Sequence, residues 1–331
     1  MNKYCLLLVC LSVLSTACKS DIDEKCISSL PFLTIDGTTI FDAPRSEIGK
    51  VYVIEGNICS IYNRGKKEFV LEIKPMSDTS HSTHIIPYGP DSDQMLLVSS
   101  SVSGSRILVQ DIVQKKYTIV DILAPVENIH YKPEMIPLTL LTQEMVPIDK
   151  DKILYLNQGS FRSREPRFYY DVPNKKPHKI SKNGQKSMNI LDGTLLYNSS
   201  KNNVAFLSLY TPEIEIYDAD SKSQKYKISI ARDEDVEIVY IFSGTIKEYL
   251  FKNKVPLCFM TGASDDESLV AVYRDEKGLS YILLFDWEGN LHNGFMVKEE
   301  VCSVSLYDDY IYCWQRSGER DCLVQYHIHS I

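Results

Sequence analysis

The sequence predicts an all-β fold, a six-bladed β-propeller of four-stranded antiparallel blades, and three observations carry that expectation. From Val51 onward, short runs rich in Val, Ile, Tyr and Phe alternate with clusters of Gly, Asn, Asp and Ser, the composition of a half-buried pleated strand followed by a turn. These groups recur about every 45–50 residues, the period of one four-stranded blade, so residues 38–331 hold about six of them. Helical periodicity is nearly absent: the best mixed window, residues 234–250, contains the β-branched run 236–241 and is interrupted by Gly244.

Taken in order, the first strands are Val51-Tyr52-Val53-Ile54, Ile58-Cys59-Ser60-Ile61-Tyr62 and Phe69-Val70-Leu71-Glu72-Ile73. They are separated by Glu55-Gly56-Asn57 and by residues 63–67, and Gly and Asn supply the positive φ of tight hairpins. Further groups are residues 95–99, 106–112 and 117–122; 153–156 and 167–171; and 195–197, 204–210, 214–217 and 226–230. The series continues through 236–242, 257–260, 269–273, 281–287, 295–297, 301–306, 310–314 and 323–328. A ring protects so many short strands from exposed edges if an early segment, residues 38–43 or 50–56, pairs with 323–328 to complete the last blade. Two stacked β-sandwiches are the alternative, and they require a break in the Pro-rich stretch 133–147.

The amino terminus carries an address. Lys3 precedes an apolar run over residues 5–14, and Ser15-Thr16-Ala17 lead into Cys18. The run is too short to cross a hydrocarbon core of about 30 Å, and the small residues after it suit a signal peptidase. Residues 15–18 resemble the lipobox of bacterial lipoproteins, with Leu14 one place earlier than that pattern has it. The resemblance implies a signal peptide over residues 1–17 and diacylation of Cys18; an ordinary secretory peptide cleaved nearby is the alternative. Each buried acyl CH₂ is worth about 0.8 kcal/mol, so two or three chains make a durable anchor. Residues 18–37 then read as a lipid-anchored tether. Its Asp21-Ile22-Asp23-Glu24 cluster resembles the surface-export signal of Bacteroides-type lipoproteins.

Removing residues 1–17 takes away one cation, Lys3, from 36 Lys+Arg and leaves 35 against 44 Asp+Glu, a net −9. Such an acidic chain is a poor nucleic-acid binder, since phosphate neutralisation needs clustered cations. At about 300 residues roughly 75% of the unfolded surface can be buried, enough for a self-sufficient domain over residues 38–331. Six cysteines remain beyond Cys18, and none forms a CxxC. A two-residue turn at Ser317-Gly318 places Cys313 opposite Cys322, within disulfide range, with Cys302 one diagonal step away; buried free thiols are the equal alternative.

The leader, the Phe41-Asp42-Ala43-Pro44-Arg45 to Val51-Tyr52-Val53-Ile54 segment and the strand repeats together resemble TolB-like six-bladed propeller lipoproteins of the Bacteroides type. Tyr88-Gly89-Pro90-Asp91-Ser92-Asp93 is similar to the family's glycine-rich GxGPxE loop, with Asp91 in place of Glu. The resemblance implies architecture and a cell-envelope location at the outer membrane, on its periplasmic or surface face. It does not imply chemistry.

Candidate binding residues are Arg162, Arg164 and Arg167, whose guanidinium groups suit carboxylate or sulfate recognition, with the aromatic pair Tyr169 and Tyr170. The 21 Tyr against 2 Trp serve blade packing as readily as sugar or peptide contact. His81 and His84 lack a converging third ligand, as do His327 and His329 on the last strand, so no metal is expected; Asp265-Asp266-Glu267 lacks the spacing of a calcium loop and reads as solvent-exposed. No GxSxG, HExxH, P-loop or dinucleotide fingerprint occurs, so no catalytic residue or cofactor is assigned.

The expected function is noncatalytic: a membrane-anchored propeller that binds or scaffolds an envelope protein, peptide or glycan through loops at one end of its channel. A polymer hydrolase or lyase on the same fold is the alternative. Intact mass of protein extracted from membranes should show a chain beginning at Cys18 and carrying acyl groups; an unmodified chain starting at another residue refutes the anchor.

Overall fold

The computed structural model describes residues 22–28, 30, 32, 34–123, 129, 131, 133–135, 145–149, 152–155, 169–171, 193–221, 223–231, 238–243, 246–251 and 257–328. Strands β1 (Asp23–Ile27) and β2 (Thr38–Pro44) come first. A sheet of β3 (Ile48–Ile54), β4 (Asn57–Tyr62), β5 (Phe69–Pro75) and β6 (Thr83–Pro87) follows, then one of β7 (Val98–Ser103), β8 (Arg106–Asp111), β9 (Lys116–Asp121) and β10 (Glu134–Met135). Next is a three-stranded sheet, β11 (Met145–Asp149), β12 (Lys152–Tyr155) and β13 (Tyr169–Asp171), in which β12 and β13 run parallel.

Another four strands, β14 (Gly193–Asn198), β15 (Asn203–Ser208), β16 (Glu213–Asp218) and β17 (Gln224–Ile230), pair antiparallel in order, and β1 adds parallel to β17 as a fifth. A separate hairpin of β18 (Ile238–Ser243) and β19 (Ile246–Phe251) precedes β20 (Phe259–Ser264), β21 (Ser268–Arg274), β22 (Ser280–Asp286) and β23 (Leu291–Val297). The last sheet is β24 (Glu300–Tyr307), β25 (Tyr310–Ser317) and β26 (Arg320–His327), completed by β2.

These sheets are the blades of a propeller, mostly antiparallel and four-stranded. Their first strands β3, β7, β11, β14, β20 and β24 are successive neighbours about one axis. Five blades have a full set of four strands among the described residues, so the expected count of six is not met by complete blades. Ring closure uses residues 38–44 rather than 50–56, because β2 pairs antiparallel with β26 while β3 begins the next blade.

The core lies between blade faces. Leu207, Ile216 and Ile228 of one blade pack with Phe259, Phe285 and Trp287 around the next, and Val51, Val53 and Ile58 pack with Tyr312, Trp314 and Leu323 across the closure. Trp287 and Trp314 are fully buried. The three-stranded sheet packs on both neighbours as well: Met145 and Ile153 meet Leu108 and Tyr117, while Val146 and Leu154 meet Leu195 and Phe206.

The strand expected over residues 236–242 is present as β18, which pairs antiparallel with β19, in keeping with its β-branched content. Two other local expectations are corrected. The tether over residues 18–37 is docked from Asp23 onward, where β1 pairs with β17. The β25–β26 turn falls at Gly318-Glu319, with Gly318 at φ 60 and Ser317 opposite Arg320. That one-residue displacement puts Cys313 opposite Val324 and Cys322 opposite Gln315, so the Cys313–Cys322 bridge is not formed, and all six described cysteines are free thiols.

The closure is also knitted by side chains. Ser303 Oγ accepts from Val51 N (3.0 Å) and donates to Val51 O (2.8 Å), and Ser305 Oγ accepts from Val53 N (2.9 Å). Both serines are buried, so Ser303→Ala strands two backbone groups and should cost about 1–3 kcal/mol in urea unfolding. Ser317→Ala, on an exposed turn, is expected within about 0.5 kcal/mol of wild type, and equal losses at the two sites contradict the closure role.

Candidate functional site

Each axial strand has one edge bonded within its own blade and one edge facing the channel, where backbone groups lack ladder partners. Side chains of the preceding blade supply them. Tyr52 Oη and Lys50 Nζ donate to Ser100 O (3.1 and 3.0 Å), Ser101 Oγ donates to Met145 O, and Ser103 Oγ reaches Tyr197 O (3.5 Å). Asn198 Nδ2 donates to Asp265 O and Asp266 O (3.3 and 2.9 Å). The wall is therefore a set of satisfied polar contacts around a cavity of about 670 Å³.

The axial strands run toward the same end, and the described turns that follow β3, β7, β14, β20 and β24 form the mouth of that cavity. The turns contribute Glu55 from β3–β4, Asp265, Asp266 and Glu267 from β20–β21, and Asp308 and Asp309 from β24–β25, all exposed. Among the described residues two cations line the same space. Lys50 is engaged with Ser100, and Arg106 Nε lies 3.8 Å from Asp121 Oδ2.

The turns are shaped to hold these carboxylates out. Asp265 Oδ1 accepts from Glu267 N (2.9 Å) and Ser268 N (2.6 Å), while Asp265 O accepts from Trp287 Nε1 (3.0 Å), which leaves Asp266 and Glu267 at a fixed tip. Glu55 and Asp308 adopt φ of 49° and 55°, a left-handed conformation uncommon for residues other than Gly and Asn. Clustered like charges at a concave, low-dielectric rim focus a negative potential that attracts cationic groups within about a Debye length, roughly 8 Å at physiological salt.

Of the residues singled out from sequence, Asp265, Asp266 and Glu267 lie at this mouth, exposed as expected. Cys18, Arg162, Arg164, Arg167 and His329 lie outside the described residues, and Tyr169 and Tyr170 belong to β13, opposite Ile153 and Leu154. His81 and His84 do not converge: His81 Nδ1 is 2.6 Å from Asp78 Oδ2, whereas His84 stacks on Phe69 (3.8 Å) with Nε2 3.2 Å from Glu72 Oε1. Among the described residues no group of three or more His, Cys, Asp or Glu is placed to hold a metal. The Tyr88–Asp93 loop connects β6 to β7 and is tied through its backbone, with Gln114 Nε2 on Gly89 O (3.2 Å) and Lys116 Nζ on Asp91 O (2.8 Å).

Sequence reasoning did not single out Glu72, a nearly buried carboxylate that accepts from Tyr62 Oη (2.7 Å) and pairs with Lys74 Nζ (2.9 Å). Burial raises its pKa, but hydrogen bonds from Lys74 and Tyr62, the Lys74 charge and the His84 contact outweigh this and hold it below the usual value. A saturated, ionised carboxylate of this kind ties strands together and is poorly suited to proton abstraction. Its stabilisation is fully present above the unfolded Glu pKa, about 4.3, and is lost as pH falls through the lower folded value. Glu72→Gln should destabilise by about 1–3 kcal/mol near pH 7, and urea unfolding should show that gap closing in acid. A gap that persists at low pH contradicts the ionised pairing.

No family model and no curated protein matches this chain. Solved structures similar to it include a Bacteroides fragilis protein described as exported, at 12% identity and TM-score 0.48, covering 92% of this chain and 98% of that one. The β-propeller domain of Cps50 (Swd1) from Myceliophteria thermophila gives 11% identity and TM-score 0.45 over 87% and 99% of the two chains. BamB from Moraxella catarrhalis gives 9% and 0.40 over 89% and 100%. No helix among the described residues is long and apolar enough to cross a membrane.

Proposed function

We propose that this chain is a noncatalytic binding or scaffolding propeller of the cell envelope, tethered by lipid at Cys18, whose acidic channel mouth receives a cationic segment of a protein partner. The observation that carries the reading is the charge of the mouth: among the described residues, six carboxylates against two cations, both already engaged, around a cavity of about 670 Å³. Rigid blades hold the turns, and the turns present the recognition groups. The ring is read as six-bladed, with β11–β13 as the remaining blade; β11 stands between β7 and β14 and its sheet has cores on both faces. The TolB-like resemblance and the leader support the envelope location.

The test is fluorescence anisotropy with a labelled lysine-rich decapeptide and a glutamate-rich control, run beside a glycan array and product analysis. Wild type should bind the basic peptide alone, with affinity falling as salt rises. The combined Asp266→Asn, Glu267→Gln, Asp308→Asn variant should bind at least about tenfold more weakly at unchanged melting temperature, since these charges are exposed. Equal binding by the variant, or a glycan ligand indifferent to it, overturns the assignment.

A further inference from the structure

We infer that β1 fixes the orientation of the propeller on its anchor, so that the acidic mouth lies on the membrane-proximal side and its partner is a basic segment close to the bilayer. This deepens the function proposed above and rests on the lipid anchor at Cys18. The strap is well docked. Asp23 to Ile27 pair in parallel register with Tyr226 to Ile230, and Lys25 Nζ donates to Glu288 O (2.6 Å) and Asn290 Oδ1 (2.8 Å) while standing 5.5 Å from the Tyr226 ring centroid. Ile27, Leu30 and Phe32 then pack on the core between the β14–β17 and β20–β23 blades. Phe32 lies 6.3 Å from Tyr281 and so close to Gly294 that a Cβ there would meet it at 3.0 Å. Thr34 bridges to Met296, and β2 completes the last blade. The segment therefore crosses the outer edges of three successive blades and is not free to swing.

Its direction follows from topology. In an antiparallel four-stranded blade the outermost strand starts at the end where the axial strand finishes. For β14 that end is Asn198-Ser199, which lines the mouth, so β17 starts at the mouth face and β1, parallel to it, starts there too. Four residues, Lys19 to Ile22, separate Cys18 from Asp23. Five Cα steps of at most about 3.6 Å reach roughly 18 Å. A blade of six-residue strands is about 20 Å deep, so the far face cannot be turned onto the bilayer unless β1 peels away. The tether leaves the acidic mouth beside the anchor and directs the opposite turns outward.

Hydrogen exchange by mass spectrometry on acylated full-length protein in phosphatidylethanolamine–phosphatidylglycerol vesicles, against the secreted Cys18→Ala chain, tests this. Mouth-face turns at 199–202, 219–221 and 287–290 should exchange severalfold more slowly on vesicles. Far-face turns at 209–212 and 275–279 should be unchanged. Inserting a long Gly-Ser linker after Ile22 should keep flotation with vesicles and abolish the difference. Slowing at the far face, or no linker effect, overturns the orientation while leaving the anchor standing. A wild-type chain without acyl mass that fails to float overturns the anchor itself.

Discussion

Everything in this propeller depends on how the channel-side edges of its axial strands are satisfied. An unpaired N–H or C=O in a low-dielectric wall costs about 1–3 kcal/mol, and each axial strand has a full edge of them. The solution is directional: β24 serves β3 through Ser303 and Ser305, β3 serves β7 through Lys50 and Tyr52, and β7 serves β11 and β14 through Ser101 and Ser103. Asn198 of β14 continues the series to the β20–β21 turn.

This satisfaction divides labour between wall and mouth. Wall groups that hold the blades together are already engaged and buried, so they have little left to offer a ligand. Turn tips take part in such bonding through backbone carbonyls, as Asp265 and Asp266 do with Asn198, which leaves exposed carboxylates at their ends. The fixed β20–β21 turn shows the division within three residues, since Asp265 caps the backbone while Asp266 and Glu267 face solvent.

The strand rhythm was legible because local chemistry specifies it. Val51-Tyr52-Val53-Ile54, followed by Glu55-Gly56, reads as a strand and a tight turn, and the structure places β3 there with both turn residues at positive φ. The Cys313–Cys322 pairing was not legible, since choosing Ser317-Gly318 or Gly318-Glu319 as the turn changes the register by a whole pair of residues, and composition hardly distinguishes them. Nor was β1. Asp23-Glu24-Lys25 has the polarity of a linker, and its docking depends on partners such as Glu288 that lie 263 residues away. The mouth as a whole was hidden for the same reason: Glu55 and Asp308 are each an ordinary turn residue, and Asp265-Asp266-Glu267 an isolated acidic cluster, until parallel axial strands collect them. The serines of Val98–Ser103 did carry a signal, because so polar a strand inside an otherwise apolar repeat implies backbone edges that need hydroxyls.

Strand direction governs both ends of this ring. Because every axial strand points the same way, one end of the channel collects all outgoing turns, and the acidic residues in those turns add rather than cancel. Because β1 runs parallel to the outermost strand of its blade, the chain enters at that same end. Reversing β1 would bring the chain in at the opposite rim without altering a single residue of the mouth. The pairing sense of one short edge strand thus sets the rim at which the chain enters the ring, and the side chains of Lys25 and Phe32 hold that strand in place.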